Sequence, residues 1–288
     1  MNLELDCIPC FVRNALAAAR FATPDTDVHE RILREALQIA AARDSTQSAP
    51  AMSQYIHRRL RELTGIADVY QDAKQRFNVL ALELLAELQA KVSQAEDPFA
   101  SAVRLAIAGN VIDLGVNGSL KEVDIRHSLQ DVLTEPFCGD LTFFRTTLST
   151  AGRILYLADN TGEIVFDRLL IEQLPAGHVT VAVRGGPVLN DATLTDARAV
   201  GLDQIAEVID NGSDAPGTIL DDCSRAFQDC FNRADVIVAK GQGNFESLRN
   251  ASKNIFFLLK IKCSVVATQT GLAIGTQALV YHHAAPIG

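Results

Sequence analysis

The chain has 288 residues, 48% of them hydrophobic and 21% charged, which is enough apolar material for one large globular domain or two smaller ones. A formal net charge of −9 and a pI near 5.2 give no general attraction for nucleic acid or anionic lipid, so polyanionic partners are not expected. There is no run of about 18 apolar residues to span a membrane, no leader-like start in Met1 to Asp6, and too few cysteines, six, for a disulfide scaffold; a cytoplasmic protein with reduced thiols is expected.

Residues from about 9 to 96 read as helical, with helices expected at about 10–22, 27–43, 51–63 and 70–93, separated by Pro24 and by the polar stretch 44–50. The last is the clearest, because Ala73, Phe77, Leu80, Ala81, Leu84 and Leu88 recur at three- and four-residue steps and make one apolar stripe. Lys74 and Asn78 share a different face of that helix, free to meet a neighbouring domain. The span 1–97 is therefore expected to be an all-helical N-terminal domain, and 98–288 a second domain. Between 98 and 150 two or three more helices are expected, interrupted by the Gly- and Asn-rich stretch 108–118. That stretch is either a plain helix connection or a loop delivering Asn110 and Asp113 to a site.

Beyond 150 the texture alternates between strand and helix, with strands expected at 153–158, 178–183, 205–209, 235–239, 254–259 and 264–267, which argues for a parallel sheet covered by helices. The first strand, Ile154 to Ala158, stops at Asp159 and Asn160 before a helix begins. In an open parallel sheet ligands bind at the carboxyl ends of the strands, where those two side chains would sit. Arg184-Gly185-Gly186, Asp210-Asn211-Gly212 and Lys240-Gly241-Gln242-Gly243-Asn244 follow later strands, giving carboxylates, amides, a lysine and glycines suited to a metal ion and an anion.

Familiar nucleotide motifs do not fit. Gly241-Gln242-Gly243 has Glu246 where a dinucleotide fingerprint needs its third glycine, and there is no Gly-x-x-x-x-Gly-Lys-Ser/Thr. The six histidines lack zinc-site spacing. Oxygen donors fit a hard divalent ion better: Asp159 and Asn160 need a third partner, which Asn190-Asp191 could supply. Taken singly, each Asp or Asn reads better as a helix cap or turn former than as a ligand; it is the combination that points to a site. Cys7-x-x-Cys10 reads as half a metal site, a redox couple or ordinary buried thiols.

Asp159-Asn160-Thr161-Gly162-Glu163, Gly186-Pro187-Val188-Leu189-Asn190-Asp191-Ala192-Thr193 and Lys240-Gly241-Gln242-Gly243-Asn244-Phe245-Glu246 resemble the damage-control phosphatase family, also called domain of unknown function 89. Cys7-Ile8-Pro9-Cys10, Asp68-Val69-Tyr70 with Lys74 and Asn78, Gly109-Asn110 with Asp113, and Lys262-Cys263 stand in the same order as in that family, and the cysteine pair resembles its small prokaryotic branch. The resemblance implies a helical N-terminal region on a three-layer α/β/α domain with a mainly parallel sheet. It further implies a divalent metal (Mg, Mn, Co or Ni) held by Asp159, Asn160 and Asp191, and hydrolysis of phosphate monoesters of small metabolites such as sugar phosphates. Thr161 stands where many relatives have Ala.

On these parts, Lys240, Asn244 and the amides of Gly241 and Gly243 would grip phosphate oxygens, and Asp159 or Asp191 would orient the attacking water. Asn110 and Glu163 are further candidates for substrate binding, and Asp113 is a second-tier candidate for the site. A phospho-aspartate route is disfavoured, because Thr161 stands where such enzymes carry a second Asp. Two other functions compete: an S-adenosylmethionine-dependent carboxyl methyltransferase, whose Gly-rich cofactor loop is missing after the first strand, and a non-catalytic metal- or metabolite-binding protein built on Cys7 and Cys10. The partner expected is a small phosphorylated metabolite, neither nucleic acid nor membrane; the oligomeric state is not encoded in any motif found.

Overall fold

The computed structural model describes residues 4–42, 48–109 and 132–283. Asn110 and Asp113 lie outside the described residues. Four helices come first, close to the expected spans: α1 (Cys7–Ala22), α2 (Thr26–Ala41), α3 (Ala49–Thr64) and α4 (Gln71–Gln94). Their ends follow local chemistry. The Asp25 side chain accepts from the Asp27 backbone N–H at 2.9 Å to start α2, and Gly65, left-handed at φ 68°, closes α3. Helices α1 to α3 enclose a small core of their own around Ala19, Ile32, Ala36 and Ile56. In α4, Ala81, Leu84, Leu88 and Val92 instead join the core that covers the sheet.

Next come α5 (Pro98–Ala108), a short β1 (Phe137–Cys138) and α6 (Leu141–Thr150), and then the alternating part: β2 (Ile154–Leu157), α7 (Glu163–Ile171), β3 (Val179–Val183), α8 (Leu194–Ala199), β4 (Glu207–Asp210), α9 (Arg225–Arg233), β5 (Val236–Lys240), α10 (Gly241–Leu248), β6 (Ile255–Lys260), α11 (Ser264–Thr270) and β7 (Gln277–His282). The seven strands form one sheet in the order β1-β7-β6-β5-β2-β3-β4. Strands β6, β5, β2, β3 and β4 run parallel, whereas β7 is antiparallel to β6 and parallel to β1.

The pleat sorts side chains into two layers. Ile154, Tyr156, Val236 and Val238 face the layer containing α4 and α5, while Leu155, Leu157, Ile237 and Ala239 face the layer containing α9 and α10. The architecture is thus the expected three-layer α/β/α sheet behind a helical N-terminal region.

One expected strand, 264–267, lies inside helix α11. Its run, Val265-Val266-Ala267, is too short for periodicity to separate strand from helix, and Gly271 in a left-handed conformation (φ 71°) caps it as a helix. The sheet instead gains β7 and β1, which sequence reading missed. Among the described residues no helix is long and apolar enough to cross a membrane.

Candidate active site

The chain leaves β2 towards β3 and β4 on one side and later returns to β5 on the other, so a crevice opens at the carboxyl ends of β2 and β5. Asp159 and Asn160 follow β2 there, and Gly241 follows β5. Gly241 is in the left-handed region (φ 76°), and a Cβ on it would lie 1.9 Å from Asp159 Oδ2. Only glycine leaves room for that carboxylate.

A short antiparallel pairing brings the third residue in. Asn160 bridges Asp191, Thr161 N donates to the Asn190 carbonyl at 2.9 Å and Ala192 N to the Asp159 carbonyl at 2.8 Å. Leu189, just before this pairing, is the one described non-glycine residue with positive φ (46°), so the turn that delivers Asp191 carries backbone strain. Asp159, Asn160 and Asp191, drawn from two strand ends, are buried side by side.

The hydrogen bonds orient these donors. Asn160 Nδ2 donates to Asp159 Oδ2 at 3.0 Å and to Glu163 Oε2 at 3.1 Å, which fixes the amide plane against its neighbours. Two carboxylates and an amide oxygen form a hard-cation donor set. Among the described residues no three His, Cys, Asp or Glu side chains form a group that could hold a metal ion; the set here is two carboxylates and an amide. The chemistry of the donors fits a divalent ion.

Sequence reading did not nominate Arg184, although Arg184-Gly185-Gly186 ends a strand. Its guanidinium is buried, with Nε donating to Asp191 Oδ2 at 2.6 Å and Nη2 lying 3.5 Å from Asp159 Oδ1. Nη1 reaches Thr218 Oγ1 at 3.5 Å and Asn244 Oδ1 at 3.3 Å. One fixed cation thus stands between the two carboxylates and keeps their charge apart.

Lys240 and Asn244 are committed within the protein. Lys240 is fully buried, and Nζ donates to the Ala106 carbonyl at 2.7 Å, to Glu163 Oε1 at 2.6 Å and to Asp167 Oδ1 at 2.6 Å. Burial opposes its charge, but the Asp167 and Glu163 carboxylates outweigh burial and hold its pKa above the ordinary value. Burial pushes the Asp167 pKa up to about 6 against the pull of Lys240. Asn244 Nδ2 donates to the Lys240 carbonyl at 2.8 Å and to the Ala158 carbonyl at 3.3 Å, tying β5 to the end of β2. Of the expected residues that are described, Asp159, Asn160 and Asp191 lie at the crevice, joined by Arg184, while Glu163, Lys240 and Asn244 brace them from below.

The cysteine pair is separate. Cys7 is half-buried and Cys10 exposed, both as free thiols. Burial, and then the neighbouring Glu246 carboxylate, push the Cys7 thiol pKa up.

A parallel α/β/α sheet with carboxylates, an amide and a buried arginine at its switch point defines an α/β protein with a crevice suited to a cation and an anionic ligand. The chain belongs to the damage-control phosphatase ARMT1-like family, whose domain model matches residues 4–277. It is 36% identical over 281 residues to a protein of Archaeoglobus fulgidus named damage-control phosphatase, covering 96% of this chain and 97% of that one. It is 34% identical over 276 residues to a damage-control phosphatase of Pyrococcus horikoshii, covering 93% and 94% of the two. The crystal structure of a DUF89 family protein from Pyrococcus horikoshii superposes with a TM-score of 0.88 at 31% identity, covering 98% of this chain and 99% of that one.

Proposed function

We propose that the chain is a divalent-metal-dependent phosphatase that hydrolyses phosphate monoesters of small metabolites, with Asp159, Asn160 and Asp191 holding the metal. What supports this reading is the pairing that sets Asp159 and Asn160, after β2, beside Asp191, which brings two carboxylates and an amide of the kind a hard cation takes into one buried place. Names given to relatives from Archaeoglobus fulgidus and Pyrococcus horikoshii support phosphate-ester hydrolysis and a role in metabolite repair.

The bound ion would offset negative charge on the phosphoryl group and its departing oxygen. Every other task falls to protein groups. Arg184, already at 2.6 Å from Asp191, adds a second positive charge beside the place a phosphate would take. A carboxylate oxygen of Asp159 or Asp191 turned towards the ester would accept a proton from the attacking water, and the leaving oxygen would take one from solvent. The phosphate grip expected of Lys240 has less support than a bracing role, because all three of its N–H groups are engaged within the protein.

The test is phosphate release from para-nitrophenyl phosphate and a panel of sugar phosphates, first with chelator and then with Mg²⁺, Mn²⁺, Co²⁺ or Ni²⁺. Turnover that requires metal and vanishes in Asp191→Ala is the expected result. A folded wild type that releases no phosphate with any of these metals overturns the proposal.

A further inference from the structure

The two turns that carry the proposed ligands are latched from behind by a single residue of the helical region. On α4, Asn78 Oδ1 accepts from the backbone N–H of Gly162 at 2.8 Å, two residues beyond Asn160. The same amide donates through Nδ2 to Asp196 Oδ1 at 3.3 Å. Asp196 in turn caps the turn that carries Asp191: its Oδ2 accepts from Thr193 N at 2.9 Å and from Thr193 Oγ1 at 2.7 Å. Lys74, one helical turn before Asn78, lies 3.1 Å from Asp196 and 3.0 Å from Asp68 and balances their charge. Lys74, Asn78 and Asp196 are all buried.

We propose that Asn78, backed by Lys74 and Asp196, is a positioning residue that fixes the turn carrying Asp159 and Asn160 against the turn carrying Asp191, so that the helical N-terminal region completes the metal site. The proposal rests on the metal-dependent reading given above. Its physical basis is the choice of group. Packing of α4 on the sheet is already supplied by Leu84, Leu88 and Val92, and an apolar residue at position 78 would add to it without the cost of burying an amide. An amide adds one fixed acceptor and one fixed donor, and here each engages a different turn. Loss of such an outer contact lets ligands drift while the chain stays folded.

The experiment is calorimetric titration of Mn²⁺ alone into wild type, Asp191→Ala, Asn78→Ala, Asn78→Asp and Gln89→Ala, with a melting curve for each. Gln89 is the control, because it joins α4 to Glu172 at 3.4 Å, away from both turns. Wild type and Gln89→Ala should bind Mn²⁺ alike and Asp191→Ala should not bind. Asn78→Ala should bind about 10-fold or more weakly. Asn78→Asp keeps the acceptor for Gly162 but sets a carboxylate against Asp196, and it should fall between. Should Asn78→Ala fail to fold, Asn78→Asp decides: weakening beyond about threefold supports the latch, and less than that overturns it. Mn²⁺ affinity equal to wild type in folded Asn78→Ala also overturns it. If wild type itself binds no Mn²⁺ and coincides with Asp191→Ala, the metal-dependent reading fails and the latch falls with it.

Discussion

Gly241 and Lys240 are neighbours in sequence with opposite relations to the crevice. A methyl group at Gly241 would overlap the Asp159 carboxylate, with 1.9 Å between Cβ and Oδ2, and would also force an L-residue to φ 76°. Gly241→Ala should therefore lower Mn²⁺ affinity by about 100-fold or more, by displacing one ligand; unchanged binding in a calorimetric titration would contradict the placement of Asp159. Lys240→Met keeps most of the side-chain volume but leaves the buried Glu163 and Asp167 carboxylates facing each other without their shared cation. Removing one partner of such a buried cluster should destabilise by about 3–5 kcal/mol, measured by denaturant unfolding. A cost below about 1 kcal/mol would mean that the ammonium is not their counter-ion. At this scale the sequence showed Asp159 and Asn160 standing directly after a strand, as they do after β2, whereas Asp191 comes in from a turn beyond β3. The sequence was silent on Arg184, whose place depends on a guanidinium folding back seven residues onto Asp191, and no local pattern records that.

Among the elements, the helices were legible because their apolar stripes, caps and breakers agree, as in α3 between Ser48 and Gly65. The strands β2, β3, β5 and β6 were legible because both faces are covered and their runs are mostly apolar. Helix α11 and strand β7 were not, since short apolar runs near the end of the chain take their state from the neighbours they pack on. Helix α3 carries a further consequence. His57 is buried in it, against Tyr70 with ring centroids 6.0 Å apart, and burial followed by repulsion from Arg61 lowers its pKa to about 4, Asp214 opposing. The folded protein thus holds this ring neutral where the unfolded chain, titrating near 6.5, would bind a proton. Between those values the unfolded state binds more protons, so stability rises with pH: the contribution is complete above about 6.5 and is lost as pH falls towards about 4, amounting to at most about 3 kcal/mol. Denaturant midpoints from pH 4 to 7 should fall on acidification, and His57→Leu should flatten that slope. An unchanged slope in the variant would assign the effect to other groups.

Across the whole molecule, the helical region and the sheet meet through two carboxylates, Asp214 and Asp222, as well as through α4. Asp214, in the loop after β4, accepts from Arg58 Nη2 at 2.5 Å, from Gln54 Nε2 at 2.7 Å and from Arg61. Arg61 continues to the Pro187 carbonyl at 2.7 Å, on the strained turn that delivers Asp191. The same loop is tied to the strand end below the site: Gly185 N donates to the Ser213 carbonyl at 2.8 Å, and a Cβ on Gly185 would lie 2.5 Å from the Gly212 backbone. The path from α3 to Arg184 and Asp191 therefore runs through tightly packed backbone. Burial favours the neutral Asp214 acid, but the Arg58 and Gln54 donors and the two arginine charges outweigh it and hold its pKa below the ordinary 3.8. A depressed acid contributes stability that is present above the ordinary value and is lost as pH falls through the folded one. Asp214→Ala should then cost about 1–2 kcal/mol, the lower range for charged hydrogen bonds because water reaches the cluster. It should also speed amide hydrogen exchange at Gly185 and across 211–218 more than in the core strands β2 and β5. If the loss were spread evenly over all amides, Asp214 would serve only global stability. Exchange confined to the loop and to the turn before Asp191 would show that the helical region holds the site in shape from two directions, through the α3 donors to Asp214 and through Asn78 on α4.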